Sequence, residues 1–144
     1  MKNDRLWRKA RPLRAGLICL AALVSTGPSA ASANALTGLW RIEIVDGPSK
    51  GDHGQIRLTP TGPGVYAGEM RFTDSRTDIT ADERCVIRTQ DDAVEVRCQT
   101  DELGWLPDDF DLTRTGPDEL RGPHISAVSG EAVFRRLRDA DLLS

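Results

Sequence analysis

The stretch from Cys85 to Cys98 reads CVIRTQDDAVEVRC and places two cysteines at the outer ends of a predicted β-hairpin. Apolar and polar residues alternate on both sides of Asp91-Asp92, which is the pattern of two half-buried strands joined by a tight turn. If the turn is centred on these aspartates, Ile87 faces Val96 and Cys85 faces Cys98. The two cysteines are therefore predicted to lie directly opposite each other.

This register predicts a disulfide on the core side of the hairpin. Cys85 and Cys98 form a pair without cross-strand hydrogen bonds, at which Cα atoms lie about 4.5 Å apart, within the range that a disulfide spans. The register also places both sulfur atoms on the apolar face of the hairpin, and the other residues on that face are Ile87, Val94 and Val96.

A metal site and a redox-active pair are the alternatives for these cysteines. A redox pair usually has the closer C-x-x-C spacing, and zinc would need further ligands, for which only His53 and His124 are on offer. Both histidines lie in Gly- or Pro-rich connections, so we expect them at the surface. We predict a structural disulfide, no metal site and no cofactor.

Residues 1–33 have the three-part layout of a cleaved secretory signal. Six cations precede the apolar run 15–24, and the small-residue exit 31–33 follows. The apolar run is about half as long as a membrane-spanning helix, so we expect no membrane span after cleavage. Cys19 lies in this segment, which leaves an even pair of cysteines and favours a disulfide in an exported chain. We predict a periplasmic or secreted protein.

The mature chain is predicted to be one acidic domain, with the barrel at 34–137 and a tail at 138–144. Without residues 1–33 it has 111 residues, and its 13 Lys and Arg face 21 Asp and Glu, a net charge of −8. Such a chain repels phosphate backbones, so we expect no nucleic-acid partner.

Period-two alternation recurs from Leu39 to Leu137, with Gly or Pro at almost every boundary and no long helical period. Outside the cysteine hairpin, the predicted strands are 39–45, 55–59, 65–72, 110–114, 119–122 and 132–137, and the longer polar loops are 73–83 and 100–109. A sheet of eight strands in a small exported domain can pair its two edge strands with each other and so close into a barrel. We predict an all-β, eight-stranded antiparallel up-and-down barrel, with an open sandwich as the alternative.

The predicted inward-facing side chains are aliphatic, with a few aromatics. They are Trp40, Ile42, Ile44, Ile56, Leu58, Tyr66, Met70, Phe72, Ile87, Val94, Val96, Phe110, Leu112, Leu120 and Phe134. This set can fill the barrel or line an apolar pocket, because eight strands leave room for side chains or for one small ligand. If a ligand binds, its contacts are predicted at Trp40, Tyr66, Met70 and Phe72.

The first strand begins with Thr37-Gly38-Leu39-Trp40, which contains Gly-x-Trp, and the last ends with Phe134-Arg135-Arg136-Leu137. This layout resembles the lipocalin-like (calycin) barrels, in which an Arg from near the last strand covers a Trp at the base of the first. The resemblance implies a cation-π stack of Trp40 with Arg135 or Arg136. The chain is shorter than typical lipocalins and shows no long C-terminal helix.

Small exported barrels of this kind also include bacterial inhibitors of secreted metalloproteases, which similarly carry one disulfide. Their inhibitory N-terminal segment corresponds only loosely to residues 34–36, so no inhibitory residue is assigned.

The acidic loop 101–109 contains Trp105 and Leu106, which can anchor a partner or plug one end of the barrel. Asp108, Asp109 and Asp111 lack the spacing of a known calcium loop and are expected to be solvated.

No serine or cysteine occurs with the residues that nucleophilic catalysis requires, and His124 is a base only by elimination. We therefore expect a non-enzymatic exported barrel that binds a small apolar ligand or a periplasmic protein. The alternatives are a protease-inhibitor-like or accessory subunit that acts through its loops, and a hydrolase that uses His124.

Overall fold

Eight antiparallel strands close into a barrel in the computed structural model, which describes residues 35–142. The strands are β1 Gly38–Asp46, β2 His53–Gly62, β3 Val65–Asp74, β4 Ile79–Gln90, β5 Ala93–Gln99, β6 Asp109–Gly116, β7 Glu119–Ile125 and β8 Ser129–Arg136, and a 3₁₀ helix, Asp139–Leu142, follows. Each strand pairs with its neighbour in the chain, and β1 also pairs with β8. The predicted barrel is confirmed and the open sandwich is excluded. The predicted signal, 1–33, lies outside the described residues.

The predicted loop at residues 73–83 is wrong. The polar stretch 73–83 was expected to be a loop, but β3 continues to Asp74 and β4 begins at Ile79. Apart from Glu83, which points inward, the polar residues of this stretch lie on the outer face or in the connection 75–78, and Asp82 pairs with Arg71 across the strands at 3.0 Å. A strand with one charged face and few apolar residues resembles a loop in sequence, because only its pairing with a neighbouring strand distinguishes the two.

The up-and-down connectivity gives the barrel two different ends. We call the end formed by the connections 47–52, 75–78, 100–108 and 126–128 the loop end. The opposite end, where β1 begins and β8 ends, is the base. Between them, the inward-facing apolar residues form one continuous core.

The core side chains fill the barrel. Each apolar member of the core is at most 6 % exposed to a water-sized probe, and Trp40, Ile42, Ile56, Ile87 and Phe110 are at 0 %. A void large enough for a ligand would appear as exposed surface on the side chains that line it. The interior that these residues surround is therefore packed rather than hollow.

The disulfide joins β4 and β5 in the predicted register. Cys85 faces Cys98 with the Cα atoms 4.0 Å apart and the sulfur atoms bonded at 2.03 Å. Gln90 pairs with Ala93, which confirms the turn at Asp91-Asp92, and Asp91 adopts a left-handed φ of 53°. Both cysteines are buried in the core, so the bridge lies on the inner face.

Arg136 closes the base of the barrel. Its guanidinium lies 4.4 Å from the centre of the Trp40 ring and donates to the Asp118 carboxylate at 2.9 Å and to the carbonyl of Thr37. The indole N–H of Trp40 donates to the carbonyl of Leu36 at 2.9 Å. One cation therefore ties the entering chain, the first strand and the last strand together.

Arg135 does not take part in this stack. Its side chain points outward, where it lies 3.1 Å from Glu43 and 3.5 Å from Glu119. Because adjacent residues of a strand face opposite sides of the sheet, only one of the two arginines can cover Trp40. The structure assigns that contact to Arg136.

Arg136→Ala should lower the free energy of unfolding by about 2 kcal/mol, because it removes the stack on Trp40 and the hydrogen bonds to Asp118 and Thr37. Arg135→Ala is the matched control and should cost less than about 1 kcal/mol, as expected for exposed ion pairs. Urea denaturation of the two variants measures both changes. Equal losses would show that the stack on Trp40 does not close the base.

Candidate functional site

Four polar side chains meet at the loop end, next to the apolar core. Glu83 and Asp108 are each 3 % exposed, His124 is 1 % exposed, and Trp105 is half-buried against the core. We call these four residues the loop-end cluster. Burial of three titratable groups costs folding free energy unless each finds partners, so their hydrogen bonds decide what the site can do.

Two members of the cluster come from strands and two from a loop. Glu83 points inward from β4, two residues before Cys85, and His124 points inward from β7. Trp105 and Asp108 come from the connection 100–108, which turns back over the end of the barrel. The cluster therefore joins rigid strands to a loop.

Few contacts hold the start of this loop on β4. The hydroxyl of Thr100 donates to the carbonyl of Asp82 at 2.9 Å, and Arg84 pairs with Asp101 at 2.9 Å on the exposed surface. Exposed ion pairs contribute little, so the cluster itself is an important part of what keeps the loop in place.

The indole N–H of Trp105 bridges the two carboxyl groups. It lies 2.9 Å from Glu83 Oε1 and 3.2 Å from Asp108 Oδ2. The backbone N–H of Asp108 donates to Glu83 Oε2 at 3.0 Å, and His124 Nε2 lies 2.6 Å from Asp108 Oδ1. A continuous hydrogen-bonded chain thus runs from Glu83 through Trp105 and Asp108 to His124.

Burial, and after it the neighbouring Asp108 carboxyl, raise the pKa of Glu83 to about 8. Desolvation penalises the charged form, and a second carboxylate at hydrogen-bond distance repels it. Glu83 is therefore mostly neutral near pH 7. Its proton lets two adjacent carboxyl groups share a site without carrying two negative charges.

His124 has one unmet hydrogen-bonding group. Its Nδ1 atom is buried and has no hydrogen-bond partner among residues 35–142. The ring stacks on Phe110, with centroids 5.0 Å apart, and lies 6.0 Å from the ring of Phe72. Unpaired buried polar atoms are rare in native structures. The cluster therefore has a position at which one more hydrogen bond can form.

The hydrogen-bond partner of His124 within the described chain is a carboxyl group rather than a hydroxyl or a thiol. The imidazole is therefore oriented by Asp108 and faces no nucleophile of the kind that acyl transfer uses. Within residues 35–142, no group of three or more His, Cys, Asp or Glu side chains is arranged to hold a metal ion.

The predicted ligand contacts do not form one site. Trp40 and Tyr66 lie near the base, where the hydroxyl of Tyr66 accepts from the backbone N–H of Leu36 at 3.3 Å. Phe72 lies beside His124, and Met70 pairs in register with Glu83. Only Phe72 and Met70 of the predicted contacts are therefore near the loop-end cluster.

The two residues of the acidic loop have different environments. Trp105 is packed against the core as a plug, whereas Leu106 is 60 % exposed. Trp105 therefore has the environment expected of a plug, and Leu106 has the environment expected of a partner contact.

Two predictions of surface exposure are wrong. Asp108 was expected to be solvated, but its loop folds inward and its partners, Glu83 and His124, are distant in sequence. His124 was expected at the surface because Pro123 suggested a break, but β7 continues through Pro123 to Ile125. His53 and Asp111 are exposed as expected.

Glu83 was missed, although the sequence contains a usable signal. The alternation that places Ile87 and Cys85 inward also places Glu83 inward if the strand is extended backwards by two residues. The expected loop at 73–83 ended that extension too soon.

Exposed apolar side chains also gather at the loop end. We call the five large ones found there the loop-end rim: Ile79, Leu103, Leu106, Ile125 and Val128. Val86 and Leu142 are exposed elsewhere on the described chain. Exposed apolar groups at one end of a domain are typical of a contact surface.

A groove of about 560 Å³ lies on the outside of the barrel rather than in its interior. Its walls include the outward side chains of β2 to β4, where charges of opposite sign pair, as in Arg71–Asp82 and Arg84–Asp101. Because these charges compensate each other, the groove has no strong preference for a charged ligand.

No protein-family model matches the chain, and no curated sequence matches it. Solved structures of designed barrels are similar in fold. A redesigned β-barrel, b11L5F_LGL, is 16 % identical, with a TM-score of 0.65 over 78 % of this chain and 100 % of that one. The redesigned barrel mFAP1, bound to DFHBI, is 15 % identical, with a TM-score of 0.62 over 73 % of this chain and 97 % of that one.

These likenesses define the fold alone, a closed eight-stranded antiparallel barrel. None of the helices in the part of the chain described here has the length and apolar character needed to cross a bilayer.

The free energy of unfolding should fall as the pH rises from about 4.5 to about 8, because folded Glu83 keeps a proton that the unfolded chain releases. The expected slope is about 1 kcal/mol per pH unit. Glu83→Gln keeps a neutral polar group and should remove this fall. Urea denaturation at several pH values measures it.

The matched control is Glu69→Gln, because Glu69 is exposed on the outer face of β3. This variant should keep the slope of the wild type. Parallel profiles for Glu83→Gln and the wild type would contradict the assignment of the proton to Glu83.

Proposed function

We propose that the protein is a non-enzymatic binding barrel whose ligand site is the loop-end cluster, reached when the connection 100–108 moves away. The observation that carries the proposal is the cluster itself, with three buried titratable side chains under one half-buried indole. Two of the similar barrels, mFAP1 and EF1p2_mFAP2b, are bound to the small molecule DFHBI. A small ligand bound by such a barrel is consistent with those complexes.

The polar character of the cluster supports binding over a purely structural role. Well-packed apolar residues in place of buried ionisable groups are often neutral or stabilising, so such groups do not exist for stability alone. A titratable group with a strongly shifted pKa at a site that can open is a candidate for function. Glu83 is such a group.

Within residues 35–142, the packed core and the closed base favour the loop end as the place for a small ligand. The core is packed, and Arg136 and Leu36 close the base. At the loop end, movement of one connection would free the volume of the Trp105 side chain beside the core. A ligand of about that size would fit without expansion of the barrel.

We further propose that the protein is exported and lipocalin-like. The layout of residues 1–33 and the disulfide between Cys85 and Cys98 support export, since disulfides persist in oxidising compartments. The stack of Arg136 on Trp40 supports the lipocalin-like grouping.

A thermal-shift panel of small anionic, neutral and cationic molecules tests the ligand site. At a ligand concentration of about 100 times the Kd, a bound compound adds about 2.7 kcal/mol and should raise Tm by several degrees. Asp108→Asn should abolish the shift, whereas Asp111→Asn, at an exposed aspartate, should keep it. The site is wrong if no compound protects the wild type or if Asp108→Asn is protected equally.

A second candidate function is the capture of a basic segment of a periplasmic protein by the loop-end rim. The exposed apolar side chains of the rim lie near the exposed acids Asp78 and Glu102, and the mature chain carries a net charge of −8. A partner with apolar residues flanked by Lys or Arg complements both features.

Leu106→Ser should remove such a partner from a pull-down of periplasmic extract, because it places a hydroxyl on the rim. Val86→Ser changes an exposed apolar residue outside the rim and should leave the partner bound. Raised salt should weaken the capture. Retention of the same proteins by both variants would exclude the rim as the contact surface.

A further inference from the structure

We propose that the loop-end cluster binds a flat aromatic amine, and that the indole of Trp105 occupies its place in the ligand-free protein. This inference rests on the proposed function and names the class of ligand. Its starting point is that the site already holds a flat aromatic group with one N–H donor, supplied by the chain itself.

The position of Trp105 is that of a tethered occupant. Its indole reaches into the cluster and packs on the core, yet the side chain stays partly exposed on a loop. Gly104 precedes it with a left-handed φ of 80°, and nothing would contact a Cβ atom at that glycine within 4 Å. The loop is therefore open to solvent immediately before the indole.

The carboxyl groups define the polar end of the ligand. When the indole leaves, Glu83 and Asp108 lose the donor that they share, at 2.9 Å and 3.2 Å. A replacement has to bring N–H groups to two adjacent carboxyl groups. A protonated amine brings several donors and a positive charge, which strengthens hydrogen bonds to a carboxylate. An anionic ligand would be repelled.

The core on which the indole packs defines the body of the ligand. The interior next to the polar residues is rich in aromatic rings: His124, Phe110 and Phe72 have centroid separations of 5.0 Å, 6.0 Å and 6.4 Å among them. A flat aromatic body matches the shape of the indole that it replaces and packs well in aromatic surroundings. An aliphatic amine of equal charge would lack this match in shape.

His124 gives an independent indication that the indole of Trp105 does not satisfy every hydrogen-bonding group of the site. Its side chain is 1 % exposed, Nε2 is bonded to Asp108, and Nδ1 has no hydrogen-bond partner among the described residues. This ring nitrogen can form one further hydrogen bond. A ligand with more hydrogen-bonding groups than indole can satisfy it as well as the carboxyl groups.

Trp105→Ala in the full mature protein tests the ligand class, because it removes the tethered occupant. The probes are tryptamine, a cation with an indole body; indole, which is neutral; and indole-3-acetate, an anion. We expect tryptamine to raise the Tm of Trp105→Ala most, indole to raise it less and indole-3-acetate to leave it unchanged. Wild-type protein should bind tryptamine at least about tenfold more weakly, since Trp105 competes.

Two matched variants serve as controls. Val86→Ala truncates an exposed apolar residue away from the loop end and should behave as the wild type does toward all three probes. Adding Asp108→Asn to Trp105→Ala should abolish the advantage of tryptamine over indole, because the carboxylate that attracts the amine is gone. Equal rescue by indole-3-acetate and tryptamine would overturn the inference, and so would no binding of any probe to folded Trp105→Ala.

A measurement on the wild type keeps the test valid if Trp105→Ala does not fold. On addition of tryptamine, the indole N–H signal of Trp105 in an ¹⁵N NMR spectrum should move towards that of solvent-exposed indole. The signal of Trp40, whose N–H is bonded to Leu36 at the base, is the internal reference and should not move. A Trp105 signal that stays constant at saturating tryptamine would contradict displacement.

The results also separate this inference from the proposed function. If the compound panel yields a ligand that depends on Asp108 but is not an aromatic amine, the ligand class is wrong and the site stands. If no compound of any class binds, the proposed function itself fails.

Discussion

The pairing of the first strand with the last is the constraint on which the rest of the structure depends. When β1 pairs with β8, no strand edge remains open, and every inward side chain faces a closed interior of limited volume. Arg136 strengthens this closure, because it covers Trp40 on β1 from its place at the end of β8. In so small a barrel, the apolar side chains are sufficient to fill the interior.

Because the interior is filled, the candidate binding sites lie at the ends of the barrel. The base is closed by the chain's own cation and by the segment that enters β1. The loop end is closed differently, by a half-buried indole that holds two carboxyl groups in place. A closure made of hydrogen bonds to a loop can open at lower cost than one made of paired strands, because fewer backbone contacts are broken.

The loop-end cluster also explains how the protein tolerates buried acids. Glu83 keeps its proton, so the two adjacent carboxyl groups do not carry two negative charges, and Asp108 also bonds to His124. The arrangement costs stability at high pH and leaves His124 Nδ1 unpaired. A barrel selected only for stability would place apolar side chains here, as the rest of its interior does.

Much of the fold could be predicted from local patterns. Alternation determined the eight strands and most of the inward residues, and the register around Asp91-Asp92 determined the disulfide, because both depend on near neighbours in the chain. The loop-end cluster could not be predicted in this way. Its members lie at positions 83, 105, 108 and 124, on β4, on β7 and on the loop between β5 and β6, and only closure of the barrel brings them together.

The tertiary structure alone decided which arginine covers Trp40, that Asp108 and His124 are buried, and that Trp105 plugs the barrel while Leu106 stays exposed. The physical reason is the same in each case. Local alternation specifies the face of a strand on which a side chain lies, whereas burial of a polar group depends on partners that arrive from distant parts of the chain.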